Sequence, residues 1–265
     1  MKRQKILIPL LCYNYGHFLQ ECLDSIINQT YDSWKVVVRD PQSSDNTEKI
    51  MRNYVKIDSR INYVKDKYPL SLAEARNKTI SENRDYNIIA YQDVDDIMMP
   101  RRLELSVENL RHSDIVYGNA KNFGANNSFS KSWPYVNFEL LMQGNKIVAS
   151  TVCFQDRVWK TLNGFDENKN LFGDDEYDFW LRAAKAGFKF KHIHRPIQMY
   201  RLHSGSITSR FTQKEELSGI YARHKHQKTT MPTKAIVLLC CFCQACVQPQ
   251  YLLPYQIYLW GHRKI

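Results

Sequence analysis

The chain has 265 residues and a mass of 31.3 kDa, with 43% hydrophobic and 24% charged residues. These fractions exclude a disordered or fibrous protein and fit one large domain or two small ones. The net charge of +10, from 37 Lys and Arg against 27 Asp and Glu, favours polyanionic partners without choosing among nucleic acid, anionic lipid and phosphorylated substrates.

The cysteines and the N-terminal segment both bear on the location of the protein. The seven cysteines are odd in number and four of them lie between Cys240 and Cys246, which is a poor disulfide framework and indicates a reducing compartment. The basic N-terminus leads into the apolar run Ile6 to Leu11 without the small-residue cleavage site of a signal peptide. We therefore expect a cytoplasmic protein in which this run is a buried first strand.

The first half of the chain alternates strand-like and helix-like segments. After the first strand, the patterns predict a helix over 18–27, a strand over 35–38, a helix through Ile50 and Tyr54, a strand over 62–64, a helix over 72–80, a strand over 87–91, a helix through Leu103, Val107 and Leu110, and a strand over 114–117. Capping-box spacing occurs twice, in Asp45 with Glu48 and in Ser71 with Glu74. Strands that alternate with helices form βαβ units, so we predict an α/β fold with a mainly parallel, right-handedly connected sheet.

The second half is less regular. Residues 119–145 are polar and rich in Asn, Ser and Gly, and the pattern then predicts a strand over 147–154. A helix over 173–186 and an extended segment over 188–200 follow.

Three carboxylates follow the fourth predicted strand, in Asp93, Asp95 and Asp96. Ligands of such sheets bind beyond the carboxyl ends of the strands, and like charges packed there are compensated by a cation. Oxygen ligands suit Mg²⁺ or Mn²⁺, with substrate phosphates completing the coordination shell. The alternative is a solvated acidic turn that caps the next helix, which Pro100 would begin.

Short motifs recur in order between about residues 5 and 210. The opening motif has Ile8-Pro9, Tyr13-Asn14 and the segment 19–31, and the second strand and its turn have Val37 to Asp40 and Ser43 to Thr47. The later motifs are Ala75-Arg76-Asn77, Asp93-x-Asp95-Asp96 with Ile97 and Pro100, Gly164-Phe165-Asp166-Glu167, Asp175-Glu176-Tyr177-Asp178-x-Trp180-x-Arg182, and Tyr200-Arg201-x-His203. Together these motifs resemble those of the family 2 glycosyltransferases, which have the GT-A fold.

The resemblance implies a metal-dependent, inverting glycosyltransferase that uses a nucleotide-diphosphate sugar, most simply a UDP-sugar. The acceptor would be a hydroxyl of a glycan or glycolipid, in cell-surface polysaccharide synthesis. A single displacement needs one general base, which would be Glu176 or Asp175. The cofactor Mn²⁺ or Mg²⁺ would be bound by Asp95, Asp93, Asp96 and His203. The nucleotide would be bound by Cys12, Tyr13, Asp40, Arg76, Asp93 and Arg201.

Two departures from the family pattern matter for these roles. The turn after Asp40 carries Pro41-Gln42 where the family usually has glycine, and the usual Glu-Asp order is reversed in Asp175-Glu176. The family register favours Glu176 as the base, because it precedes Arg182 by six positions.

Each assigned residue also has an ordinary structural interpretation. Asp40 would cap a turn, Arg76 would be a solvated surface residue and Tyr13 a core residue. His203 would be structural, and the acids at the start of the predicted helix would simply interact with its dipole.

The resemblance divides the chain into a GT-A domain over 1–222 and an extension over 223–265. The domain has a nucleotide-binding half over 1–118 and an acceptor half over 119–222. The extension has six Lys or Arg and no acid, and its apolar stretch 235–247 would be about 20 Å long as a helix, too short for the roughly 30 Å hydrocarbon core. We expect it either to bind an anionic membrane surface on the cytoplasmic face or to pack as a C-terminal helix.

Three other functions compete with this interpretation. A nucleic-acid-binding protein would interleave basic and aromatic residues on one face, whereas here they are dispersed, so we expect no nucleic-acid partner. A nucleotidyltransferase would need a glycine- and basic-rich loop that residues 9–18 lack. A catalytically silent nucleotide-sugar-binding protein would keep the motif carboxylates as structure, and it is the main alternative.

Overall fold

The computed structural model describes residues 3–171, 173–206 and 213–226. The strands of these residues are β1 (Ile6–Leu11), β2 (Trp34–Asp40), β3 (Ile61–Lys65), β4 (Ile88–Ala90), β5 (Gln92–Asp93), β6 (Ile97–Met98), β7 (Ile115–Gly124), β8 (Phe129–Ser130), β9 (Cys153–Gln155) and β10 (Phe190–Leu202). The α-helices are α1 (Gly16–Ile27), α2 (Thr47–Ile57), α3 (Leu72–Glu82), α4 (Arg102–Asn109), α5 (Phe138–Leu141), α6 (Asp156–Thr161), α7 (Asp175–Lys185) and α8 (Gln213–His226).

Across the described part of the chain, the strands form one sheet in the order β3-β2-β1-β4-β9-β7-β10-β6, with β5 also on β1 and β8 on β7. The strands β3, β2, β1 and β4 are all parallel, as predicted for the first half of the chain. The strand β9 pairs antiparallel with both β4 and β7, and β6 pairs antiparallel with β10. The sheet is therefore parallel in its first half and mixed in its second.

Both faces of the sheet are covered, which explains the continuous apolar runs of the parallel strands. Ile6, Ile8 and Leu10 pack on one side with α1, α2 and α4, whereas Leu7 packs on the other side with α3 and α7. The carboxyl ends of β1, β2 and β5 consequently reach one edge between these two layers, where the loops that follow them are brought together.

Of the two capping boxes predicted from the sequence, the structure contains one. The side chain of Ser71 accepts a hydrogen bond from the backbone N–H of Glu74, and the Glu74 carboxylate accepts one from the backbone N–H of Ser71, which confirms this capping box. No capping box forms at Asp45, because Asn46 is the N-cap residue and Glu48 pairs with Lys65 and Arg52. Asp45 nevertheless caps α2, since its Oδ1 accepts from the backbone N–H of Thr47 at 3.0 Å.

The predicted strand over 147–154 is also wrong in its first part. Residues Ala149–Thr151 form a 3₁₀ turn and the strand begins at Cys153. The turn is stabilised by the Thr151 hydroxyl, which donates to the carbonyl of Val148 at 2.6 Å and lies 3.2 Å from the carbonyl of Gly118. A polar side chain that satisfies nearby backbone carbonyls thus competes with the sheet pairing that the apolar pattern suggests.

The helix α8 runs across the predicted boundary at 222/223 and packs against α7. The remainder of the extension, including the apolar stretch and its four cysteines, lies outside the described residues. Among the helices that the structure describes, none is both long and apolar enough to cross a membrane. Cys12, Cys22 and Cys153 are buried free thiols.

Candidate active site

The loops after β1 and β2 are fastened to each other. The Oδ1 atom of Asn14 accepts a hydrogen bond from the backbone N–H of Ser44 at 2.8 Å, and the Ser43 hydroxyl lies 2.9 Å from the backbone N of Asn14. Cys12 is buried, and this burial raises the pKa of its thiol to about 11. Tyr13 is 57% exposed, so it is a surface side chain at this edge and not part of the core.

Asp40, the predicted base-binding residue at the end of β2, is fully buried. Its Oδ1 accepts from the backbone N–H of Ser43 and its Oδ2 from the Tyr63 hydroxyl, both at 2.6 Å. In the turn that follows, Gln42 has a φ of 72°, the left-handed conformation that favours glycine. The chain thus keeps a glycine-like backbone conformation at this turn without a glycine.

The acidic segment after β5 directs its three carboxylates differently. Asp93 keeps 37% of its side-chain exposure and Asp95 18%, whereas Asp96 is 1% exposed. The Oδ1 of Asp96 accepts from the backbone N–H of Arg201 at 2.9 Å, which ties the acidic turn to the end of β10. Asp96 therefore connects two elements, while Asp93 and Asp95 remain partly exposed.

The end of β10 adds two predicted residues to this segment. Arg201 donates from Nε to the backbone carbonyl of Asp95 at 2.8 Å and pairs with Glu21. The Nε2 atom of His203 lies 3.1 Å from Oδ2 of Asp95, and the imidazole packs on the Phe18 ring. The motif Tyr200-Arg201-x-His203 and the acidic motif thus meet in space although they are more than 100 residues apart.

Arg76 of α3 joins the acidic segment to the start of α7. Its guanidinium donates to Oδ2 of Asp175 at 2.7 Å, and its Nη2 lies 3.5 Å from Oδ1 of Asp93. It is 5% exposed and lies over the Tyr91 ring, 4.2 Å from the ring centroid. The structure therefore excludes a solvated surface role for Arg76 and places it between two carboxylates of the predicted site.

The two candidate bases have different surroundings. Asp175 is 3% exposed and is held by Arg76, whereas the neighbouring Glu176 is partly exposed and its Oε1 lies 3.4 Å from Nδ2 of Asn145. The partial burial of Glu176 raises the pKa of its carboxyl well above its ordinary value, and the nearby carboxylates of Asp175 and Asp174 raise it further. Partial burial and the neighbouring Asp95 likewise raise the pKa of Asp93 to about 6.

The residues available to a divalent ion are few. In the part of the chain that the structure describes, no group of three or more His, Cys, Asp and Glu side chains is arranged to hold a metal ion. Asp95 and His203 form a partly exposed carboxylate–imidazole pair, two donors that leave the other coordination positions of a divalent ion to substrate oxygens. The donors present fit this kind of incomplete metal site.

Two polar residues to which the sequence assigned no role connect elements around the site. Asn77 accepts at Oδ1 from the backbone N–H of Phe165 at 2.8 Å and donates from Nδ2 to the Phe165 carbonyl at 2.8 Å. Arg102 is fully buried and its Nη1 donates to the side chains of Gln92 and Gln198. The sequence around Arg102 gives no signal of its burial, because α4 buries a second polar residue, Ser106, beside it, and Asn77 stands out only as part of a motif.

Solved structures with the same architecture define the fold class. TarS 1–349 of Staphylococcus aureus, solved in complex with UDP-GlcNAc, superposes with a TM-score of 0.70 and 15% identity over 88% of this chain and 69% of that chain. In complex with UDP, the same TarS fragment is covered over 61% of its length. The mannosyltransferase PcManGT from Pyrobaculum calidifontis, solved with GDP-Man and Mn²⁺, superposes with a TM-score of 0.62 and 16% identity over 99% of this chain and 89% of that chain. The fold is that of the GT-A glycosyltransferases.

The sequence comparison then identifies the family. Residues 7–182 match the sequence model described as Glycosyl transferase family 2, so the chain belongs to this family and is a glycosyltransferase. Among relatives, the Escherichia coli UDP-Glc:alpha-D-GlcNAc-diphosphoundecaprenol beta-1,3-glucosyltransferase WfaP is 25% identical over 207 residues, which cover 76% of this chain and 79% of that protein. These findings confirm the family, the fold and the enzymatic class that the motifs predict.

Proposed function

We propose that this glycosyltransferase moves a sugar, with inversion, from a UDP-sugar to a hydroxyl of a glycan or lipid-linked acceptor in cell-surface polysaccharide synthesis. The observation that carries the proposal is the position of Arg76, which holds Asp93 of the acidic motif and Asp175 of the base motif at one edge of the sheet. Arg76 thus brings the acidic motif and the base motif together, with the partly exposed Glu176 next to Asp175, and this supports a transfer site.

The donor would lie across the edge formed by β1, β2 and β5. Cys12 and Tyr13 would border the nucleoside, and Asp40 would accept the imide N–H of uracil. Because Asp40 is fully buried, the uracil N–H would bind it only by replacing the Tyr63 hydroxyl as the hydrogen-bond donor to its Oδ2. The relatives support this donor class, since one TarS complex contains UDP-GlcNAc and WfaP is named for UDP-Glc.

The diphosphate would lie beside Asp95, His203 and Arg201. Asp95 and His203 would hold Mn²⁺ or Mg²⁺, and the ion would supply positive charge that stabilises the leaving diphosphate. Asp96 orients this segment through the backbone N–H of Arg201. The Arg201 guanidinium donates to the carbonyl of Asp95 and pairs with Glu21, so it lies beside the proposed diphosphate position.

The base would be Glu176. Its carboxylate accepts the proton of the acceptor hydroxyl while the hydroxyl oxygen bonds to the anomeric carbon and the bond from that carbon to the phosphate oxygen breaks. The diphosphate leaves with the bonding electrons, and the configuration is inverted. Asp175 is occupied by Arg76, so we assign it the role of positioning this turn. A raised pKa makes Glu176 a stronger proton acceptor than a free carboxylate.

The test is a donor screen with the purified chain. UDP-, GDP- and dTDP-sugars are incubated with and without Mn²⁺, release of the nucleotide is measured, and the anomeric configuration of any transferred sugar is read by NMR. We expect release from a UDP-sugar that depends on the metal, and an inverted product. Tight binding of UDP-sugars without turnover under any metal would instead support the silent nucleotide-sugar-binding alternative, and a retained configuration would contradict the single displacement.

A further inference from the structure

The helix α8 lies beyond residue 182, where the family match ends, and contacts the turn that carries the proposed base. The Ser218 hydroxyl donates to Oδ2 of Asp174, the N-cap residue of α7. Near the end of α8, Lys225 and His226 both reach Oδ1 of Asp178, at 2.9 Å and 3.0 Å. The helix α8 thus contacts α7 on both sides of Glu176 in the sequence.

Asp178 is the stronger of these two anchors. It is fully buried, and its Oδ2 also accepts from Nε of Arg182 at 2.6 Å. Although burial opposes ionisation, the hydrogen bonds from His226, Lys225 and Arg182 hold the pKa of Asp178 below its ordinary value. A buried carboxylate that stays charged depends on these partners, so the position of α7 is coupled to that of α8.

Two further contacts join α8 to the segment around residues 166–168. Lys225 also pairs with Asp166 of the Gly164-Phe165-Asp166-Glu167 motif, and Nδ2 of Asn168 donates to the Tyr221 hydroxyl at 3.0 Å. At Gly219 of α8, an added Cβ would lie at ordinary contact distances from two side chains, 3.6 Å from Oδ2 of Asp174 and 3.7 Å from Nη1 of Arg223. A Cβ fits at that distance, but a larger side chain would meet Asp174.

We propose that α8 is a positioning element of the catalytic centre, in which Ser218, Lys225 and His226 fix the first turn of α7 through Asp174 and Asp178 and so aim Glu176 at the acceptor. This inference rests on the proposed role of Glu176 as the base. Arg76 holds Asp175 from the other side, so the residues on both sides of Glu176 in the sequence are fixed by partners from outside α7. A base misplaced by about 1 Å can lose most of its effect without any change in donor binding.

The experiment compares matched variants of the full chain. Lys225→Met removes the charge and Gly219→Leu pushes α8 from Asp174, whereas Lys225→Arg and Gly219→Ala are the conservative partners. Ser218→Ala is a milder variant that removes one hydroxyl and leaves the packing of α8 in place. Transfer kcat, donor KM and the thermal unfolding midpoint are measured for each, and kcat is normalised to the folded fraction at the assay temperature.

We expect Lys225→Met and Gly219→Leu to lower kcat by about tenfold and Ser218→Ala by about threefold, with donor KM within about twofold of wild type. Lys225→Arg and Gly219→Ala should keep kcat within about twofold of wild type. A normal kcat in the folded Lys225→Met, Gly219→Leu and Ser218→Ala proteins would overturn the proposal and leave α8 a packing helix. Glu176→Gln is assayed beside them: if it keeps full activity, the assigned base is wrong, which is a separate failure from that of α8.

Discussion

Two carboxylate regions lie at the same edge of the sheet and differ in what their surroundings permit. At the end of β2, Asp40 is fully buried, and its two oxygens accept from the backbone of Ser43 and the hydroxyl of Tyr63. After β5 and at the start of α7, Asp95 and Glu176 stay partly exposed. The first region is satisfied by the protein itself, and the second is left incomplete.

The difference between the two regions shows which carboxylates are left accessible to a cation or a substrate. Neutral hydrogen-bond donors satisfy Asp40, whereas in the second region Arg76 holds the buried Asp175 and His203 contacts Asp95, which stays partly exposed as Glu176 does. An incomplete cluster of carboxylates needs a cation or a substrate to complete it, and a satisfied carboxylate does not. We therefore expect substitutions in the second region to affect turnover, and substitutions at Asp40 to affect donor binding and stability.

The largest effect is expected at Asp95. Asp95→Asn should lower the transfer rate by at least about 10³-fold, because it removes the carboxylate that we assign to the metal ion, and this ion would stabilise the leaving diphosphate. The fold should persist, since the side chain is partly exposed and the substitution opens no cavity. Calorimetry with UDP, with and without EDTA, checks the reason: wild-type affinity should fall when the metal is removed, and the variant should show little further change. Equal UDP affinity of wild type and variant, each with and without EDTA, would show that no metal ion takes part in nucleotide binding.

A second large effect is expected in stability, at Arg76. Arg76→Met should lower the free energy of unfolding by about 3–5 kcal/mol, because Asp175 would be left buried without its counter-ion. Urea unfolding monitored by circular dichroism measures this loss. The double variant Arg76→Met/Asp175→Asn is the control, and it should recover most of the stability because no buried charge remains. A double variant as unstable as Arg76→Met alone would show that the ion pair is not the cause.

The smallest effect is expected at Asp40. Asp40→Asn should raise the donor KM by about tenfold with a smaller change in kcat, because base binding is used equally in the ground and transition states. Tyr63→Phe is the matched control, since it removes the competing hydroxyl and leaves the carboxylate for the base. Its donor KM should be no higher than that of wild type. If Asp40→Asn lowers the unfolding temperature but not donor affinity, Asp40 is only a turn residue.

The fold of the first half could be predicted because its signals are local. The apolar run Ile6–Leu11 forms the expected strand, and Ser71 with Glu74 forms the expected cap. The mixed second half could not be predicted, because β9 reverses direction between β4 and β7 and this depends on pairing between distant segments. For the same reason, Gly124 at the end of β7 belongs to a strand, although the sequence around it is polar.

The candidate site was predicted as a set of motifs but not as a geometry. The spacing of the motifs could not show that Arg76 pairs with Asp175, 99 positions away, or that Asp96 faces inward to the backbone of Arg201. The contact of α8 with Asp178 could not be predicted, because Lys225 and His226 lie 47 and 48 positions after Asp178 in the sequence. Contacts of this kind depend on tertiary structure and leave no periodic signal.

The most direct test of the account compares Glu176→Gln with Asp175→Asn in one transfer assay, with UDP affinity measured on the same preparations. Glu176→Gln should lower kcat by about 10²–10⁴-fold with unchanged UDP affinity, the usual effect of removing a positioned base, and Asp175→Asn should cost far less. Because the pKa of Glu176 is raised, wild-type kcat should fall with decreasing pH already above the value of about 4.3 for a free glutamate, as the base becomes protonated. A large loss at Asp175→Asn beside a nearly normal Glu176→Gln would contradict the account and make Asp175 the base.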